Sequence, residues 1–264
     1  MLRAQHTVLL HLYHHRRYIW RNAWNDLRYR YAGTGIGVFW NLIHPLVEIL
    51  LYTIVFSIMF SKRTDEISYR FYVTVGILTW YSFSEVLQRG SHAFLDNTCY
   101  LKRLAIPSEI FVTKSALIST FLLFLYYLLF LPISMMLGNS VGWEWLLLPL
   151  LLVLLQGLAF GIALVLANLQ ILFPDIQEIV RAFLQLWRWT LPIIYPERIL
   201  PEALRRWLFL NPPYIFMRSI RRLVLESTFP GWNGWIIMIV WLSMVLYVGT
   251  LIHYKLQVEV RDAL

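Results

Sequence analysis

The sequence predicts an all-α polytopic membrane protein: six transmembrane helices, an N-terminal amphipathic interface helix and a re-entrant hairpin between helices 5 and 6. Three observations carry that prediction. Hydrophobic residues make up 59% of the 264-residue chain and charged residues only 14%, against roughly 25% charged in ordinary soluble domains. The apolar residues gather into six stretches separated by short polar breaks, most of them near the ~20 residues needed to cross a bilayer core. Twelve Trp and fifteen Tyr suit a protein with many membrane–water boundaries, where amphipathic rings settle at headgroup level.

Taken in order, residues 1–36 form a cytoplasmic N-terminal segment and residues 37–264 the six-helix membrane domain. Within the first, Tyr18, Ile19, Trp24, Leu27 and Tyr31 alternate with Arg16, Arg17, Arg21, Arg28 and Arg30. Basic residues interleaved with aromatics predict a helix lying at the headgroup boundary. Gly33, Gly35 and Gly37 lead from it into the membrane; with no strand before them and no βαβ unit after, they are not a nucleotide fingerprint. The spans are expected at 38–60, 71–88, 112–137, 145–172, 179–196 and 233–253. The fifth is short and is interrupted by Arg188 and Pro192. On the fourth, Gly157 and Gly161 make a small-residue step, continued by Ala159, Ala163 and Ala167, that predicts close helix packing. Between spans five and six, amphipathic stretches flank Asn211-Pro212-Pro213. Neither is long enough to span, which predicts a broken re-entrant or interfacial hairpin at about 197–230, with a surface-lying amphipathic pair as the alternative.

Six spans place both termini on one side. Arg3, Arg16, Arg17, Arg21, Arg28 and Arg30 before the first span outweigh Lys62, Arg63 and Arg70 after it, so the positive-inside bias puts the termini in the cytoplasm. The segment 197–232 runs against the bias, with Arg198, Arg205, Arg206, Arg218, Arg221 and Arg222 on the outer side. The formal net charge of +8 is explained by anionic headgroups and this bias rather than by nucleic acid. One cysteine, Cys99, excludes an internal disulfide and a multi-cysteine metal site. The N-terminus shows no short apolar core followed by a small-residue cleavage site.

Several spans carry polar residues along one face, and an ionisable side chain at membrane depth costs several kcal/mol unless paired or wet. His44, Glu48 and Tyr52 recur every four residues on span one; Trp80 aligns with Ser84 on span two; Arg181, Gln185, Arg188, Pro192 and Tyr195 form a stripe on span five. The pattern admits two readings, which can coexist: a path lined by spans one, two and five, or a structural Glu48–Arg188 pair. The candidate path residues are His44, Glu48, Tyr52, Trp80, Ser84, Gln185, Arg188 and Tyr195. There is no GxxxxGK[ST] phosphate loop, no HExxH, and no Ser with an evident His/Asp partner. The chain is therefore not expected to be an enzyme.

The order of these segments resembles the transmembrane subunit of ABC exporters for cell-surface polysaccharides, the Wzm-like permeases of O-antigen export and their capsule and teichoic-acid relatives. The resemblance runs from about Trp20 to Lys255. It rests on DLRYRYAGTGIGVFWNLIHPLVEILLYTIVFSIMF (Asp26–Phe60), GILTWYSFSEVLQRGSHAFLDNTCYLKRLAIPSEIF (Gly76–Phe111) and TLPIIYPERILPEALRRWLFLNPPYIF (Thr190–Phe216). Two positions depart from the family pattern: Thr190-Leu191-Pro192-Ile193 stands where Thr-Pro-Ile is usual, and Arg188 adds a charge.

The resemblance implies a homodimer in the bacterial inner membrane, bound to two copies of a separate ABC ATPase subunit that would carry ATP and Mg; this chain would hold no cofactor. It implies an interface helix with Trp24, Asp26, Arg28 and Arg30, and a coupling helix at about 92–104 whose candidate ATPase contacts are Asp96, Asn97, Tyr100, Lys102 and Arg103. It makes 197–230 the outer gate and an undecaprenyl-pyrophosphate-linked polysaccharide the cargo. The alternatives are a small-molecule or lipid efflux permease of the same class, and a polytopic membrane transferase, which would need paired carboxylates or a His/Asp site that the chain lacks.

Overall fold

The computed structural model describes residues 8, 10–29, 37–40, isolated positions between 43 and 55, 66–103, 106–138 and 141–263. Among these the chain is helical, with no strand. The helices are α1 (Arg16–Tyr29), α2 (Glu66–Asp96), α3 (Thr98–Arg103), α4 (Glu109–Met136), α5 (Leu148–Leu172), α6 (Ile176–Thr190), α7 (Glu202–Trp207), α8 (Pro212–Leu225) and α9 (Trp232–Ala263). Short 3-10 turns at Gly37–Phe39, Trp143–Leu147, Glu197–Ile199 and Leu208–Leu210 lie between them.

Three helical stretches are long and apolar enough to cross a membrane: Glu109–Met136, Trp143–Leu172 and Trp232–Ala263. They correspond to expected spans three, four and six. Span two is expected at 71–88, but α2 runs for 31 residues and carries Arg70, Glu85 and Arg89 on its turns. Span one falls largely outside the described residues, His44, Glu48 and Tyr52 among them. Its described positions Val47, Leu50, Leu51, Ile54 and Val55 are helical and exposed, an apolar stripe at helical spacing.

The fifth expected span, 179–196, is where expectation and structure part most. α6 has 15 residues, about 22 Å at 1.5 Å per residue, and stops at Thr190. Leu191 is extended, with φ −100° and ψ 138°. Pro192 is the cause: its ring pushes the preceding residue out of the helical region. Expected span six errs the other way: α9 continues ten residues past 253 to Ala263, where Gln257, Glu259 and Arg261 are exposed.

α5 is the hub, packing on α9, α2, α4 and α8. Its small residues lie on two faces. On one, Gly157 meets Leu242, and Gly161 lies so close to α9 that a Cβ on Gly249 would sit 2.5 Å from the Gly161 carbonyl oxygen. On the other, Ala159, Ala163 and Ala167 are fully buried, and Ala163 Cβ lies 2.6 Å from where a Cβ on Gly90 of α2 would be. Backbones in lipid approach this closely only through small residues, because dispersion contacts rather than hydrophobic exclusion hold the helices together. Gln156 donates to Ser82 Oγ (2.5 Å), which donates to the Ser119 carbonyl (3.1 Å), so one buried polar chain ties α5, α2 and α4 together.

The expected helix at 92–104 is two pieces. α2 ends at Asp96 and α3 starts at Thr98. Asn97 Nδ2 donates to the Ala93 carbonyl (2.8 Å) and Thr98 Oγ1 to that of Leu95 (2.8 Å). Such back-bonding competes with the helical ladder and bends the chain. The expected interface helix coincides with α1 over Arg16–Tyr29, and residues 30–36 lie outside the described residues. Its buried residues Ile19, Ala23 and Leu27 recur every four positions and turn its apolar stripe inward; α1 packs on α4.

Candidate functional site

Two polar constellations stand at opposite ends of the helical bundle. His253 and Trp232 on α9 are 21 residues apart, about 30 Å along a helix, the thickness of a bilayer core.

At the Trp232 end, the chain unwinds across 191–195 after α6, leaving carbonyls without helical partners. α2 and α8 supply those partners. The Arg221 side chain, buried, donates from Nη1 to the Pro192 carbonyl (2.6 Å), from Nη2 to that of Ile193 (3.0 Å) and from Nε to that of Tyr72 (3.1 Å). Its guanidinium also lies 3.6 Å from the centre of the Tyr72 ring, a cation–π contact. The Tyr72 hydroxyl donates to the Pro192 carbonyl (3.0 Å), and the Tyr69 hydroxyl to that of Ile194. Gly76 admits the guanidinium: a Cβ there would lie 2.1 Å from Arg221 Nη2. No carboxylate within ion-pair distance neutralises Arg221 among the described residues, so carbonyl dipoles and one ring hold a buried cation. Nearby, Trp187 Nε1 donates to Asn211 Oδ1 (2.9 Å) and Asn211 Nδ2 to Thr190 Oγ1 (3.0 Å), fixing the break before Pro212 against the end of α6. α8 begins with Pro at its first positions, where a missing N–H costs nothing.

At the other end, Glu109 opens α4 and is buried with His253 of α9 and Asn168 of α5. His253 Nε2 lies 3.2 Å from Glu109 Oε2, and Nδ1 lies 3.1 Å from Asn168 Oδ1. His11 Nδ1 reaches the second carboxylate oxygen at 2.7 Å. Lys114, further along α4, pairs with Asp26 of α1 at 2.7 Å and lies 3.5 Å from Asn97 Oδ1. The N-terminal helical segment, the bend at Asn97 and the start of α4 are thus linked through the buried groups Glu109 and Lys114, whose N-terminal partners His11 and Asp26 are each partly open to solvent. The Glu109–His253 contact is buried on both sides, and breaking such a pair costs more than the pair contributes.

Of the candidate coupling residues, Asp96, Tyr100, Lys102 and Arg103 are exposed at this end, and Asn97 is buried. Tyr100 lies beside Phe111, ring centres 6.3 Å apart. Of the interface residues, Trp24 packs edge-on against Phe121 of α4 (6.1 Å), Asp26 makes the Lys114 pair, Arg28 is exposed, and Arg30 lies outside the described residues.

The candidate path residues divide. His44, Glu48 and Tyr52 lie outside the described residues. Trp80 is buried beside Phe83 and Trp187, ring centres 5.7 and 5.9 Å away, and Ser84 is buried with its hydroxyl donating to the Tyr81 carbonyl (2.9 Å). Gln185 is exposed, Arg188 and Tyr195 half-buried. Tyr195 donates to the Trp189 carbonyl (3.0 Å). Sequence reasoning missed Arg221, Tyr72, Gly76, Lys114 and the Glu109–His253 pair. For Arg221 a signal existed: it shares a helical face with Met217 and Val224, both buried.

A family model described as the ABC-2 type transporter matches residues 17–225, from α1 to the end of α8. The O-antigen export system permease protein RfbA of Myxococcus xanthus is 27% identical over 225 residues, covering 83% of this chain and 84% of that protein. An RfbA of Klebsiella pneumoniae is 22% identical over 209 residues, covering 77% and 78%. The polysialic acid transport protein KpsM of Escherichia coli is 22% identical over 208 residues, covering 78% and 79%.

Proposed function

This chain belongs to the ABC-2 type transporter family, and we propose that it is the permease subunit of an ATP-driven exporter moving lipid-linked polysaccharide, O-antigen in the first instance, from the cytoplasm across the inner membrane. The similarity of about four-fifths of the chain to an O-antigen export permease and to a polysialic acid transport protein carries this reading. A glycan cannot cross lipid unaided, because its hydroxyls would lose water without replacement partners; a channel between two copies of the chain supplies them. The exposed stripe of Arg181 and Gln185 with half-buried Arg188 on α6 would face that channel, together with the polar face of span one.

In this proposal both termini are cytoplasmic. Two ATPase subunits bind ATP and Mg and dock on the exposed end formed by Asp96, Tyr100, Lys102 and Arg103. Their movement reaches the membrane helices through the bend at Asn97 and the buried Lys114 and Glu109 contacts, and nucleotide biases the channel between its two states. At the outer end, α7 and α8 form a hairpin gate, with Arg221 pinning the unwound 191–195 segment. Depleting the protein in its native cell tests the reading: lipid-linked polymer should build up inside while surface polymer falls. Normal surface polysaccharide with no internal build-up would refute it and favour small-molecule efflux.

A further inference from the structure

In the proposed orientation the six arginines of the 197–232 segment stand on the side where basic residues are disfavoured; Arg221 is taken up by its carbonyl cage and Arg205 by the carbonyls of Arg198 and Leu200. We propose that two of the others, Arg218 and Arg222, form a binding site for the phosphate-bearing head of a membrane lipid, in the cleft between α8 and the start of α9.

The cleft measures about 500 Å³ and is lined by Arg218, Ser219, Arg222, Trp232 and Asn233, with Phe209 on one wall. That is within the usual range for a small-ligand site and holds a diphosphate with an adjoining ring. The two arginines are one helical turn apart on α8. Arg221, between them, points the other way, into its carbonyl cage. Each cleft arginine has a carboxylate neighbour, but a loose one: Arg218 Nε to Glu197 is 3.7 Å and Arg222 Nε to Glu226 is 3.5 Å, at or beyond the limit of a hydrogen bond. Among the described residues, the terminal nitrogens of both guanidiniums make no hydrogen bond. Two forks with open donors are matched to phosphate oxygens, which they grip bidentately. Asn233 and the Ser219 hydroxyl add donors without charge. Trp232, 85% exposed at the first turn of a membrane-length helix, marks the headgroup level, so the cleft opens where lipid heads lie. The export reading, on which this inference rests for the lipid's identity, makes that head the diphosphate of the carrier arriving at the outer leaflet.

The test uses the full chain in nanodiscs of phosphatidylcholine, titrated with farnesyl diphosphate and followed by tryptophan fluorescence. Inorganic pyrophosphate and a short-chain phosphatidylglycerol are titrated in parallel. Saturable binding that weakens with salt is expected, falling at least about tenfold in Arg218→Gln and in Arg222→Gln, as loss of a charged hydrogen bond requires. Asn233→Trp, which fills the cleft and leaves its charge alone, should abolish binding, and Arg206→Gln, outside the cleft, should leave it intact. Tighter binding of farnesyl diphosphate than of either comparison probe supports the carrier head. Equal binding of phosphatidylglycerol supports a bulk-lipid source, and equal binding of pyrophosphate a free phosphate, at the same site. No binding of any probe, or binding unchanged both in a chain carrying Arg218→Gln with Arg222→Gln and in Asn233→Trp, overturns the proposal. Failure of the export reading shows instead in the depletion experiment and leaves these isotherms untouched.

Discussion

Gly76 and Arg221 should depend on each other in a way that reverses the effect of one substitution. In the wild type, Gly76→Ala would place a Cβ 2.1 Å from Arg221 Nη2, closer than any real contact, so the guanidinium must leave at least one of its three carbonyls. Hydrogen bonds from charged donors contribute about 1.5–3 kcal/mol each, and the Ile193 carbonyl would lose its Nη2 partner. A cost of about 2–3 kcal/mol follows for Gly76→Ala. Arg221→Ala removes all three bonds and the ring contact, at about 4 kcal/mol after allowing for non-additivity. In the Arg221→Ala background the obstruction is gone, and alanine at position 76 then contributes its helix propensity, a gain of about 1 kcal/mol over glycine. The double variant should therefore be more stable than Arg221→Ala alone, with a coupling energy of about 3 kcal/mol. Thermal unfolding of the four purified proteins in one detergent measures this. At about 2–4 °C per kcal/mol for a chain of this size, Gly76→Ala should lower Tm by about 4–12 °C in the wild type and raise it slightly in the Arg221→Ala background. Effects that add to within about 0.5 kcal/mol would show that the cage does not form, and the pinned 191–195 segment would fall with it.

Other outcomes are expected at the bundle's core and at its opposite end. Gly249→Ala, whose Cβ would meet the Gly161 carbonyl at 2.5 Å, should destabilise by about 1–3 kcal/mol; Gly231→Ala, with nothing within 4 Å, should be near neutral in the same melts. Asp26→Asn removes the charged partner of the buried Lys114 ammonium, leaving it, among the described residues, Asn97 Oδ1 at 3.5 Å and the Phe111 ring at 5.9 Å. Because Asp26 itself is exposed, the expected cost is about 1–2 kcal/mol, with faster tryptic cleavage at Arg16, Arg17 and Arg21; adding Lys114→Met should recover part of it. Replacing Tyr100 and Arg103 together by Ala should leave the membrane domain folded and ATP hydrolysis active while export falls, since both side chains are exposed at the proposed docking end. Retained export in that variant would remove α3 from the coupling path.

The membrane class and spans three, four and six were legible because a bilayer asks only for a run of apolar residues, a local property. That the segment of α1 is helical was legible from the alternation of Tyr18, Ile19, Trp24, Leu27 and Tyr31 with arginines, but not that Ile19, Ala23 and Leu27 turn inward against α4. The fifth span misled because apolar composition continues through Leu191, Ile193 and Ile194 while Pro192 ends the helix; hydropathy records solubility in lipid, not backbone continuity. The bend at Asn97 escaped because its cause is side-chain bonding to the preceding turn, which carries no hydropathy signal. Arg221 escaped because it sits in a basic run, Arg218 to Arg222, where only the helical phase separates a caged arginine from its exposed neighbours. Trp80 and Ser84 fell on a plausible polar stripe, yet they face α6 and the α2 backbone: a helical face names which residues point together, not what they meet.

If this chain carries a polymer across a membrane when a partner hydrolyses ATP, that transport can be reconstituted. Proteoliposomes holding the chain with its co-purified ATPase, loaded with a lipid-linked glycan on the ATPase-facing side, test it most directly. ATP is expected to make the glycan accessible to a glycosidase confined to the opposite side, and a non-hydrolysable ATP analogue is not. Glycan that stays protected while ATP is consumed at full rate would contradict it.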